Sequence, residues 1–200
     1  MSKSVPIPRA WQRMLSGRRL DLLDPSPLDI EIEDIAVGLA RVARWNGQTS
    51  GSWAFSVAQH CLLVEEILST FRADAVPSWR RFALLHDAPE YVIGDLITPF
   101  KNALSNDYRE IERRLMQAVR LRFGMTGISK TAESLTKRAD RAAAYIEAIK
   151  IAGFPLDEAK TIFDPRGQFS DVELSILDLQ PLPPDEAEQR FLERFQALSQ

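Results

Sequence analysis

The chain holds two histidines, His60 and His86, so any chemistry that needs imidazole must use them. His86 is followed directly by Asp87 and preceded by the apolar run Phe82-Ala83-Leu84-Leu85. A carboxylate in such company must be paired, hydrogen-bonded or bound to a metal to be tolerated. A polar pair closing a helix would account for His86-Asp87 alone, but His60 also lies at the edge of an apolar stripe, between Val57 and Val64. Two imidazoles and a carboxylate form a natural ligand set for one divalent ion, neutral ring nitrogens combined with charged oxygens. Glu90 follows His86 by four residues and Asp87 by three, which on a helical turn brings it to the same face. A carboxylate there is either a solvated side chain near a helix end or a group placed to take a proton from a water at the ion.

Helices must deliver these residues. Phe55, Val57, Ala58, Cys61, Leu62, Val64, Ile67 and Leu68 recur at helical spacing and predict the helix that carries His60. A helix over about 79–91 carries His86 and Asp87, with Pro89 perturbing it. One over about 33–44 places Arg41 and Arg44 on one side, three residues apart, and 45–53 reads as a loop. Helices over about 106–123 and 131–152 stop at Gly124 and at Gly153-Phe154-Pro155. A last helix starts after 181–184 and shows the stripe Ala187, Phe191, Leu192, Phe195 and Leu198. Such a stripe packs on its own core or on a second copy, and a homodimer is expected. Near the N-terminus, the stretches 20–23 and 30–32 flank the turn-rich Asp24-Pro25-Ser26-Pro27 and predict a β-hairpin. The expected architecture is all-α, a mostly helical single domain over 1–200 with a minor N-terminal β-hairpin and no internal repeat.

Composition excludes several functions. With 45% hydrophobic and 26% charged residues, the 200-residue chain has the balance of a globular protein rather than a disordered one. Twenty-five Lys and Arg against 28 Asp and Glu leave a net charge of -3, so no basic excess points to long nucleic acid as a partner. No window approaches the roughly 18 consecutive apolar residues of a membrane span. Cys61 is the one cysteine and has no partner for an intramolecular disulfide, and no export signal opens the chain, so a cytoplasmic protein is expected.

One set of motifs is more specific. It comprises His60 in Ser56-Val57-Ala58-Gln59-His60, His86-Asp87-Ala88-Pro89-Glu90, the run Gly94-Asp95-Leu96-Ile97-Thr98-Pro99-Phe100-Lys101, and Asp140 in Lys137-Arg138-Ala139-Asp140. Together with the loop Arg44-Trp45-Asn46-Gly47-Gln48, these resemble the HD-domain phosphohydrolases, and among them the bacterial 5'-deoxynucleotidases. The resemblance spans about 33–150 and implies the HD-domain architecture there. It implies that His60, His86, Asp87 and Asp140 hold one divalent ion; manganese, cobalt, iron, magnesium and zinc all suit the set. For Asp140, Asp157 and Asp164 are the poorer substitutes. Glu90 is implied as general base, and Asp95 as the group that orients the water or protonates the leaving alkoxide. Arg44 and Lys101 are implied as phosphate ligands, with Arg41 one turn before Arg44; Trp45 would stack on base or sugar or cover the core, and Gln48 and Thr49 would read the sugar or base. The implied reaction is hydrolysis of the 5'-phosphate of deoxynucleoside monophosphates by a metal-activated water. Alternatives are a deoxynucleoside triphosphate triphosphohydrolase and a non-enzymatic, metal-stabilised nucleotide sensor. The pattern departs at Gln59, where the better-known deoxynucleotidases carry an acid, so the surroundings of His60 are expected to differ. Having two histidines disfavours dinuclear cyclic-nucleotide hydrolases, and Tyr91 after Glu90 disfavours guanosine tetraphosphate hydrolases.

Overall fold

Serine and proline mark where the helices begin. In a computed structural model of the chain, which describes residues 9–104, 106–169 and 178–199, the Ser56 hydroxyl accepts from the Gln59 amide to cap α2 (Val57–Phe71), and Ser129 caps α7 (Lys130–Lys150) through the Ala132 amide. Pro77 and Pro184 occupy the first turns of α3 (Pro77–Leu84) and of the C-terminal helix α9 (Pro184–Ala197), where a missing N–H costs nothing. The remaining helices among the described residues are α1 (Ile32–Arg41), α4 (Glu90–Ile93), α5 (Thr98–Ala103), α6 (Asn106–Arg122) and α8 (Leu156–Phe163). The protein is mostly helical with a small N-terminal hairpin, as expected. No helix among the described residues is long and apolar enough to cross a membrane. Residues 1–8, which bear on the expected lack of an export signal, lie outside the described residues.

Helix α2 is the centre of the fold. Its Val57, Ala58 and Cys61 join one buried cluster with Ile35 and Leu39 of α1, Leu115 of α6 and Phe191 of α9. Its Val64, Ile67 and Leu68 join a second, with Ala139, Ala142, Ala143 and Ile146 of α7. The alanine face of α7 lets that helix lie close along α2, because interaxial distance follows side-chain size. In the α9 stripe Ala187 and Phe191 are fully buried against the chain's own core, and Leu192 and Phe195 are partly buried against it.

Three local expectations are corrected. The hairpin pairs β1 (Trp11–Arg13) antiparallel with β2 (Arg19–Asp21), Gln12 opposite Leu20. Its turn is made at Gly17, whose φ of 87° suits glycine, and not at 24–27, which winds into a 3-10 turn (Pro27–Asp29). Ile30 is then a buried core residue and Ile32 opens α1. Helix α1 stops at Arg41, because Val42 turns extended and 42–44 pair with 55–57: Val57 N–H donates to Val42 O at 3.0 Å and Arg44 N–H to Phe55 O at 2.8 Å. Finally, His86 and Asp87 sit in tight turns between α3 and α4, with Ala88 N–H donating to Leu85 O and Glu90 N–H to Asp87 O, not within one long helix. Helix α4 is seated against α1 at Gly38, where a Cβ would lie 2.7 Å from Tyr91 Cβ and 2.8 Å from its carbonyl oxygen.

Candidate metal centre

Three elements bring the histidines and aspartates together: α2 carries His60, the α3–α4 turn carries His86 and Asp87, and α7 carries Asp140. Each imidazole is fixed through Nδ1. His60 Nδ1 lies 2.5 Å from Glu147 Oε1, and His86 Nδ1 donates to Ala83 O at 2.8 Å. Because a carbonyl only accepts, neutral His86 carries its proton on Nδ1 and presents the Nε2 lone pair inward. Both Nε2 atoms are buried and make no hydrogen bond. His60 Nε2 stands 3.2 Å from Asp140 Oδ1 and 3.5 Å from Asp87 Oδ2; His86 Nε2 stands 3.2 Å from Asp87 Oδ2 and 3.8 Å from Asp140 Oδ1. Donors about 2.1 Å from a shared ion are about 3.0 Å apart at octahedral angles and about 3.4 Å at tetrahedral ones. The observed separations are therefore close to the edges of a coordination shell. One atom each of His60, His86 and Asp140 lie mutually within 4.8 Å, and the group could hold a metal ion.

Electrostatics make the same demand. Burial and the Arg44 guanidinium oppose charge on His60, yet Glu147 and Asp140 outweigh them and hold its pKa up at about 9. Burial likewise opposes charge on His86, but Asp87 and Asp140 push its pKa well above the usual imidazole value. In return, Asp87 and Asp140 stay below the ordinary carboxylate range despite burial, held there by the imidazoles. The cluster calls for positive charge, and a metal competes with protons for it.

Glu147 was not among the residues singled out by sequence. It is wholly buried and serves three partners: Oε1 faces His60, while Oε2 accepts from Trp45 Nε1 at 2.8 Å and from Arg44 Nε and Nη2 at 3.3 and 3.2 Å. Arg44 and His60 keep it ionised against burial. The available signal was its position seven residues, two helical turns, after Asp140 on the same face of an otherwise apolar stretch.

Around this centre, Arg44 Nη1 donates to Asp95 Oδ2 at 3.2 Å, and Lys101 Nζ donates to Glu90 Oε1 at 3.1 Å. Glu90 is buried; its Oε2 has no partner, and burial with Asp87 and Asp95 raises its pKa to about 8 against Lys101 and Arg44. Lys101 is also 3.7 Å from Glu112, so both expected phosphate cations already face carboxylates. Trp45 and Asn46 adopt φ of 55° and 51°, a left-handed conformation that costs energy for residues with a Cβ. The Glu147 bond and ring contacts with Phe154 and Phe163, centroids 5.6 and 5.7 Å away, hold Trp45 there. Its indole is thus engaged within the protein, packed on the core.

Other expected residues lie elsewhere. Arg41 is corrected: with α1 ending there, its guanidinium turns to α9 and pairs with Glu188 at 2.7 Å and Asp185 at 3.3 Å. Gln48 is exposed with no side-chain bond to the cluster among the described residues, and Thr49 Oγ1 accepts from Phe55 N–H to shape the loop. Asp164 accepts from the amides of Gln168 and Phe169, a local turn role that leaves the place by the histidines to Asp140. Gln59 points away from His60; its amide donates to Gln180 O at 2.9 Å and accepts from Leu182 N–H at 3.0 Å, pinning the segment before α9.

Fold and site together define a helical protein with a two-histidine cluster that could hold a metal ion. A scan against protein-family models finds no match. The chain is 52% identical over 191 residues to the uncharacterized protein RCAP_rcc00048 of Rhodobacter capsulatus, covering 95% of this chain and 96% of that one. It is 30% identical over 178 residues to the uncharacterized protein YfdR of Escherichia coli K12, 86% of each chain. The chain belongs to the family that includes these two proteins.

Proposed function

We propose that the protein is a metal-dependent phosphohydrolase that removes the 5'-phosphate from a nucleotide, with deoxynucleoside monophosphates as the leading substrate class. The observation that carries this reading is the pair of buried, unpartnered Nε2 atoms of His60 and His86 converging on Asp87 and Asp140. The nucleotide part rests on the resemblance of the motifs around them. His60, His86, Asp87 and Asp140 would hold a divalent cation, which would supply polarisation of a phosphoryl oxygen and a lowered pKa for a water. Glu90 takes the proton of the attacking water on its unpartnered Oε2, with Lys101 steadying its other oxygen. Asp95 and Glu147 grip Arg44 from two sides and aim its charge at the cluster, where it offsets the charge of the phosphoryl group. The water oxygen bonds phosphorus, the ester P–O bond breaks, and the proton ends on the leaving alkoxide.

The test is elemental analysis of the purified protein with a phosphate-release screen over nucleoside mono- and triphosphates, with and without manganese or cobalt. About one ion per chain and phosphate from a monophosphate are expected, both lost in His86→Ala. No bound metal, or a His86→Ala variant as active as the wild type, overturns the reading. Inorganic triphosphate as the product would move the substrate to deoxynucleoside triphosphates.

A further inference from the structure

A cleft of about 440 Å³ opens between α6 and α7, with His86, Asp87 and Asp140 in its wall. That volume is enough for a nucleotide-sized ligand. Its far side is cationic. Arg109, Arg113 and Arg120 follow one another at four and seven residues along one face of α6, a stripe about 16 Å long at 1.5 Å per residue. Lys137 faces them from α7, three residues before Asp140 on the same side of that helix.

The acids in this wall are already engaged. Glu133 pairs with Arg120 at 3.3 Å, and Glu112 lies 3.7 Å from Lys101. Arg113 is held by Glu110 at 2.7 Å. Arg109 and Lys137 are exposed and, among the described residues, neither makes a hydrogen bond or ion pair. Two free cations in a cleft that ends at a phosphoryl-transfer site are unneeded for the reacting phosphate, which the cluster and Arg44 serve. Guanidinium and ammonium groups so placed recognise phosphate oxygens.

We infer that this cleft binds a second phosphate group through Arg109 and Lys137, so that among nucleotides carrying the 5'-phosphate to be removed, one with a further phosphate binds more tightly than the simple monophosphate. The inference rests on the phosphohydrolase reading and narrows its substrate class. Nothing in it depends on the base.

The experiment is titration calorimetry on the metal-loaded full chain carrying Glu90→Gln, which keeps the ligand intact during the measurement. The probes are deoxyadenosine 3',5'-bisphosphate and deoxyadenosine 5'-monophosphate. The bisphosphate is expected to bind about tenfold more tightly, the worth of one charge-assisted contact. That advantage should shrink to less than about threefold when Arg109→Ala and Lys137→Ala are added. It should also shrink as salt rises from about 50 to 300 mM, because exposed cations are screened. Equal affinities for the two probes, an advantage that survives the double substitution, or no binding of either probe overturns the inference. The wild-type ratio and its salt dependence need no cleft variant, so misfolding of the double variant does not shield it. Preference for the bisphosphate without phosphate release from any nucleotide by the wild type would sink the hydrolase reading and leave the cleft assignment standing. Phosphate release with no preference would do the reverse.

Discussion

Glu147→Gln isolates the carboxylate that joins the histidine–aspartate cluster to the Arg44–Trp45 loop. The substitution keeps the side-chain shape and removes its charge. One amide oxygen can accept either from His60 Nδ1 or from the Trp45 and Arg44 donors, and the NH2 group then meets donors on the other side. Solvent cannot compensate, because Glu147 is fully buried. Removing one partner of a buried ion pair costs about 3–5 kcal/mol. Arg44 keeps Asp95 at 3.2 Å, which puts the expected loss at the lower end, about 3 kcal/mol. In a chain of this size that lowers Tm by about 6–12 °C. At the cluster, His60 loses the acceptor that orients its ring, and metal affinity should fall about 10- to 100-fold. Chelator competition with cobalt or manganese reads the affinity, and thermal unfolding reads the stability. A variant that loses stability yet binds metal as tightly as the wild type would refute the claim that Glu147 positions His60.

Three further outcomes follow from particular contacts. Gly38→Ala forces a Cβ to within 2.7 Å of Tyr91 Cβ; overpacking of this kind costs about 1–3 kcal/mol and displaces α4, so phosphate release should drop while metal stoichiometry holds, and unchanged turnover would detach Glu90 from catalysis. Gln59→Ala leaves Gln180 O and Leu182 N–H without their partner and should cost about 1–3 kcal/mol in a urea unfolding curve without weakening metal binding; a loss of metal affinity would mean that Gln59 does tune His60. Burial pushes the Cys61 thiol pKa up, and the thiolate is the reactive form; a thiol reagent near pH 8 should therefore label the unfolded chain and spare the folded one, and rapid labelling of the native protein would contradict the packing of α2.

The long periodic segments around α2, α6, α7 and α9 were legible because an apolar stripe repeated every three to four residues specifies a helix before any partner is known. The two histidines of the cluster were legible through scarcity, since two histidines leave few ways to build an imidazole site, and Asp140 was legible only through the resemblance. What escaped was set by contacts distant in sequence. The end of α1 depends on 42–44 pairing with 55–57, and that pairing sends Arg41 to α9 and Arg44 to Glu147. Ile30 carries an apolar side chain that a strand or a capped turn would bury equally well, and only its neighbours decide. Glu147 has Lys150 three residues on as a ready sequence partner, whereas its actual partners Trp45, Arg44 and His60 come from a loop and a helix about a hundred residues earlier.

Counting charge around the cluster gives Glu90 its particular place. Five carboxylates, Asp87, Glu90, Asp95, Asp140 and Glu147, share two side-chain cations, Arg44 and Lys101. With neutral imidazoles these groups alone sum to three negative charges, and a divalent cation would offset two of them. Glu90 alone combines deep burial, a free Oε2 and a pKa raised to about 8. A carboxylate that balances the site by holding or releasing one proton near neutral pH is the kind of group that proton transfer to and from a substrate requires.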